Sequence, residues 1–262
     1  MKLSQAVQSS RIWAAAETTT LVIGFYFGIK ALVLTPLPFW QYNLVGWDFN
    51  AHLVMIALPM LLIYLRGERP SHYGMQRGQL KDAGVRRLVI IVFIALPVLW
   101  FILATASVQF RNAHLILNLP PDWELKSWPA EEPWKTAVGV LLTVLFEIVS
   151  CGLGEEIMFR GYIQGRLNQV FDKPWKLRNT QFGWGLFFSA LLFGFGHGLG
   201  FFNPFGESFG TSANFNFAWS DTIATAASGL IFGWLRERTN GIAVPAFLHA
   251  LVGLVFGIVV LT

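Results

Sequence analysis

Seven predominantly apolar stretches, at about 12–35, 49–65, 85–109, 135–159, 182–203, 219–235 and 241–262, constrain this chain more than any other feature. Crossing the hydrocarbon of a bilayer takes about 20 apolar residues in a helix. In lipid, a helix satisfies every backbone N–H and C=O within its own segment. Little sequence between the stretches is left for a soluble domain. Of the 262 residues, 54% are hydrophobic and 13% charged, against about 25% charged in an ordinary globular domain. The expected fold class is therefore all-α, a polytopic membrane bundle of about seven (seven to eight) transmembrane helices. It forms a single integral-membrane domain over 1–262, with a motif-bearing core at about 135–262.

The charge distribution orients the bundle. The formal net charge of +4 by itself fits a nucleic-acid binder. The basic residues instead cluster in short connections on one side of the bilayer. Placing the N-terminus in the cytoplasm puts Lys2 and Arg11 inside. The connection after the second stretch adds Arg66, Arg69, Arg77, Lys81, Arg86 and Arg87. The one after the fourth adds Arg160, Arg166, Lys173, Lys176 and Arg178, and the one after the sixth Arg236 and Arg238. Of the 19 basic residues, only Lys30, Arg111, Lys126 and Lys135 fall outside. That is the positive-inside pattern, and it predicts no nucleic-acid partner. The first apolar run is too long for a signal peptide and lacks a convincing cleavage site. The Trp-studded segment 110–134 is expected to lie on the outer surface, with a re-entrant piece as the alternative, and 201–218 to form either an outer rim or lid or an ordinary interfacial loop. The single cysteine, Cys151, excludes an intrachain disulfide framework.

Polar residues inside the apolar stretches carry the chemistry, because ionisable groups in a membrane are costly and mark function by default. The densest set is Cys151-Gly152-Leu153-Gly154-Glu155-Glu156-Ile157-Met158-Phe159-Arg160. On a helix Glu156 and Arg160 stand one turn apart, glutamate first, the better order for an ion pair. Glu155 is rotated about 100° away and has no such partner in its own helix. One carboxylate is thus held structurally and the other left to act. His197 lies in the fifth stretch, one turn after Phe193, whose ring can buttress the imidazole. Gly194, Gly196, Gly198 and Gly200 around it form small-xxx-small patterns that let helices approach closely. His249 lies in the seventh stretch. A desolvated glutamate serves as a general base near neutral pH. An imidazole can share the water or stabilise an oxyanion.

Glu155-Glu156-x-x-x-Arg160 followed by Gly161, then Phe193-x-x-x-His197, then His249, resemble the three motifs of the CAAX-protease and bacteriocin-processing (CPBP, or Abi) family of intramembrane glutamic endopeptidases. The resemblance covers about residues 150–253. It implies that Glu155 is the catalytic carboxylate and that His197 helps it activate water. It also implies that Glu156 and Arg160 support the site and that His249 contributes to oxyanion stabilisation. Further implications are a membrane-anchored protein or peptide as substrate, the lipid bilayer as surroundings, and no cofactor or obligatory metal. The sequence departs from the family where an Asn usually follows the third-motif His by four residues: that position is Gly253. Asn203 and Ser228 are candidate donors in its place.

Three rivals follow from the same residues. One Glu and two His form a recognised catalytic zinc set, although the compact H-E-x-x-H pattern is missing. Cys151, one turn before Glu155, is a candidate nucleophile. Glu17, Glu147 and Asp221 can be drawn as a proton relay in a scaffold or transporter, yet no duplicated halves are visible. The expected location is a bacterial inner membrane.

Overall fold

A computed structural model describes residues 10–32, 49–76, 78, 83–109, 141, 144–200 and 217–261. Seven helices account for most of them. They are α1 (Arg11–Leu32), α2 (Phe49–Leu65), α3 (Ala83–Gln109), α4, α5 (Trp184–Gly200), α6 (Trp219–Thr239) and α7 (Ala243–Leu261). Helix α4 is a composite that ends at Val170: π-helical over Phe146–Glu155 and Ile157–Ile163, then α-helical over Gln164–Val170. Segment 110–134 and most of 201–218 lie outside the described residues.

Among the described residues one helix segment, Ala83–Leu103 of α3, is long and apolar enough to cross a membrane by length and composition. Shorter apolar segments occupy His52–Leu65, Trp184–Leu199 and Ala243–Val255. Helix α3 shows why an all-apolar helix still has two faces. Val85, Val89, Leu96 and Trp100 recur at helical spacing and are buried against Phe232 and Leu235 of α6 and Val244, Leu248 and Val252 of α7. Ile90, Ile91, Ile94, Val98 and Ile102 point away from the protein and are exposed. A soluble protein rarely shows so much contiguous apolar surface.

The glycines of α5 pack helices. A Cβ on Gly194 would collide with the Thr222 carbonyl of α6, and one on Gly198 with the Thr222 hydroxyl. This is the close approach that small residues permit between membrane helices.

Two expectations need correction. The apolar stretch ends near 159, but bringing Glu155 to the depth of the two histidines calls for a fourth helix that runs at least one turn beyond Arg160, and it runs to Val170. What needs correction is the counting of Arg160 and Arg166 with a cytoplasmic connection. Met158, Phe159, Tyr162, Ile163 and Leu167 continue the apolar burial, and both arginines are buried within the protein. Arg166 Nε lies 3.4 Å from Glu17 Oε2, and Arg66 Nη2 lies 2.5 Å from the same oxygen. Tyr162 also donates to Glu17. Glu17 is thereby a clamp joining α1, α4 and the end of α2, rather than a step in a relay. The other correction is a short antiparallel hairpin, β1 (Trp175–Leu177) and β2 (Thr180–Phe182), between α4 and α5. Its two-residue turn, Arg178 and Asn179, has φ of 46° and 65°. Such turns usually contain Gly, and without one this turn carries little local signal.

Candidate active site

The site is built on the π-helical part of α4, and its position follows from two glycines. A Cβ on Gly152 would lie 2.8 Å from the Ala246 carbonyl oxygen and 2.8 Å from Ala250 Cβ, both of α7. A Cβ on Gly154 would lie 3.2 Å from the His52 carbonyl oxygen of α2. The absence of these side chains lets α7 and α2 close on α4, bringing a histidine from each. π-Helical winding is rare and recurs at functional sites.

Glu156 and Arg160 are both fully buried, with Arg160 Nη1 3.2 Å from Glu156 Oε1. The guanidinium carbon lies 4.1 Å from the centroid of the Phe193 ring and 5.2 Å from that of Phe232. Among the described residues none of the three guanidinium nitrogens makes an aligned hydrogen bond. Charge pairing and ring faces stabilise this cation in place of hydrogen bonds. Gly229 keeps α6 clear of it, since a Cβ there would lie 3.1 Å from Arg160 Nη2.

His249 joins the two carboxylates. Its Nδ1 lies 3.0 Å from Glu156 Oε1 and its Nε2 3.7 Å from Glu155 Oε2. An ionised carboxylate only accepts, so Nδ1 carries the proton and donates to Glu156. In the neutral ring, Nε2 then presents a lone pair towards Glu155. Phe232 stacks on this imidazole at 4.8 Å and Phe193 meets it edge-on at 5.6 Å. His197 is fixed in the same manner. Its Nδ1 lies 3.0 Å from the Phe193 carbonyl oxygen, again an acceptor, and the Phe193 ring buttresses it at 4.5 Å. It is close enough to Glu155 for the two groups to interact electrostatically.

His52 of α2 is the residue the sequence reading passed over. Its Nε2 donates to Glu155 Oε1 at 3.3 Å, and its ring meets Phe146 edge-on at 4.9 Å. A lone histidine in an apolar stretch was the available signal. It belongs to no motif, and only the folded helix pair places it on Glu155. The other carboxylate oxygen, Glu155 Oε2, is buried and accepts no hydrogen bond from the described residues. His52, Cys151 and Glu155 also bring three metal-ligand atoms within 4.8 Å of one another, a donor set compatible with zinc. Of the donors offered above for position 253, Ser228 is engaged elsewhere. Ser228 receives the Trp100 indole N–H at 3.0 Å and donates to the Ala224 carbonyl at 3.1 Å, and Asn203 lies outside the described residues.

Chemically, the arrangement can hold a water against one carboxylate whose neighbours are imidazoles, in a site walled by Phe193 and Phe232. No curated protein and no solved structure matches the chain. Residues 134–255, which carry all three motifs but not His52, match the family model described as type II CAAX prenyl endopeptidase Rce1-like.

Proposed function

We propose that this protein is an intramembrane endopeptidase of the glutamic type, with Glu155 as general base. The observation that carries the proposal is the setting of Glu155: one oxygen held by His52 at 3.3 Å, the other open beside His249 Nε2 at 3.7 Å. A water bound at Oε2 gives one proton to Glu155 while His249 or His197 accepts its second hydrogen bond. The hydroxide adds to the scissile carbonyl carbon. As the tetrahedral intermediate collapses, the C–N bond breaks and the proton returns from Glu155 to the leaving amine. Glu156 and Arg160 fix His249 and take no part in bond making.

The substrate class is a membrane-anchored protein or peptide, and by likeness to the CAAX prenyl endopeptidase family model a prenylated cysteine near a C-terminus is the first choice. Seven spans with a cytoplasmic N-terminus in a bacterial inner membrane complete the proposal. The test uses purified protein in detergent and an internally quenched peptide ending in a farnesylated CAAX sequence. Mass spectrometry should show cleavage directly after the farnesylated cysteine, with the unprenylated peptide left intact. Equal cleavage of both peptides removes the prenyl preference, and cleavage of neither removes the peptidase.

A zinc-dependent peptidase is the second reading, favoured by the His52–Cys151–Glu155 cluster. The glutamic reading predicts turnover within about twofold of the starting value after phenanthroline or EDTA, since no step needs a Lewis acid. Cys151→Ala is likewise expected to keep its activity. Loss with chelator, restored by zinc, would make the second reading correct.

His52 has its own expected effect. A hydrogen bond to a charged group contributes about 1.5–3 kcal/mol. His52→Ala should therefore lower kcat by about 10- to 100-fold with little change in KM. An unchanged kcat would leave His52 as packing only.

A further inference from the structure

Glu147 is a third carboxyl in the wall of the site that the proposed reaction has not used. It precedes Glu155 by two turns on α4 and is buried, with 4% of its surface exposed. Its Oε2 has no hydrogen-bond partner among the described residues. Cys151 lies one turn on, and His249, Glu155 and His52 are near enough to act on the carboxyl electrostatically. Its place is set by Gly253, one turn beyond His249 on α7. A Cβ on Gly253 would collide with Glu147 Oε2. The carboxyl therefore occupies the space that a side chain at 253 would otherwise fill. A hydrolytic site built from these residues needs a donor for the developing oxyanion. With one N–H each, His197 and His249 spend it on Phe193 and Glu156, leaving a lone pair at Nε2. Ser228 is engaged between α3 and α6.

We infer that Glu147, in its protonated form, donates its O–H to the oxyanion of the tetrahedral intermediate, supplying from α4 the donor that Gly253 of α7 cannot. This role rests on the peptidase reading. The neutral carboxyl is the form with a donor, and a buried carboxyl that forms no ion pair among the described residues is suited to it. The bond strengthens as the carbonyl oxygen gains charge and is released when the intermediate collapses. No proton leaves Glu147.

The test measures kcat on the quenched farnesylated peptide, together with melting temperature and the infrared carbonyl band of a protonated carboxyl. Removing one oxyanion donor costs about 10²- to 10³-fold in kcat, so Glu147→Ala should lose about that much at nearly constant KM. Glu147→Gln, which keeps an N–H donor in the same volume, should recover to within about tenfold of wild type on the same scale. Gly253→Asn alone should be impaired, because its side chain meets Glu147. Glu147→Ala combined with Gly253→Asn should regain activity over Glu147→Ala, because the donor is moved to the other helix. The protonated-carboxyl band of the wild type should weaken in Glu147→Gln. Wild-type kcat in Glu147→Ala, equal impairment of Glu147→Gln and Glu147→Ala in proteins of normal melting temperature, or an unchanged band would each overturn the role. A wild-type protein that leaves the peptide intact takes down the peptidase reading and this role with it. A cleaving wild type whose Glu147→Ala variant keeps its kcat takes down this role alone.

Discussion

Glu156→Gln is expected to lose both stability and activity, with a melting temperature lower by about 10 °C or more. Glu156 and Arg160 are fully buried, and one oxygen of Glu156 faces both Arg160 at 3.2 Å and His249 Nδ1 at 3.0 Å. The amide oxygen of Gln can still accept from His249. It cannot neutralise a guanidinium that has no aligned hydrogen bond and is surrounded by Phe159, Phe193 and Phe232. Removing one member of a buried pair costs about 3–5 kcal/mol because the other charge stays buried. For a chain of this size each kcal/mol moves the melting temperature by about 2–4 °C. The double variant Glu156→Gln/Arg160→Met should be more stable than Glu156→Gln alone, since both charges are gone. It should still be inactive, because His249 loses the charged partner that sets its tautomer. Thermal unfolding in detergent reads both. A double variant less stable than either single would show that the pair matters through shape rather than charge.

The bundle was legible in the sequence because burial in lipid makes the backbone satisfy itself locally. Runs such as 49–65 and 85–109 end almost where α2 and α3 end. The end of the fourth helix was harder to read, because its apolar stretch stops near 159 while the charged residues that follow are buried. Arg160 and Arg166 are instead neutralised inside the protein, by Glu156 and by Glu17 from α1. That pairing is a fact of tertiary structure which no local pattern encodes. The candidate site divides in the same way. Glu155, Glu156 and Arg160 lie close together in one stretch, and the structure places His249 on both carboxylates. His52 and Glu147 have no motif around them. They reach the site because Gly154 admits α2 and because Gly253 leaves room for the Glu147 carboxyl. In both cases the informative residue was a glycine, and its meaning depended on the helix opposite.

Glu155→Gln is expected to stop turnover while leaving the fold intact. The substitution keeps the volume and keeps an oxygen that accepts from His52 Nε2 at 3.3 Å. Glu155 is not the carboxylate that balances Arg160 in the described ion pair, so no buried cation is stranded. What is lost is the ability to take a proton from water, and general base catalysis supplies about 10²- to 10⁴-fold. Glu155 is the group assigned both to receive that proton and to return it to the amine, so the loss should lie at the upper end, about 10³-fold or more. The direct measurement is single-turnover cleavage of the quenched farnesylated peptide by metal-stripped wild type and by Glu155→Gln, at matched folded fraction. The account predicts a wild type that cleaves after chelation and a Glu155→Gln variant of equal melting temperature that forms no product above background. A folded Glu155→Gln variant cleaving within about tenfold of the wild-type rate would contradict it, since an unassisted water cannot account for that rate.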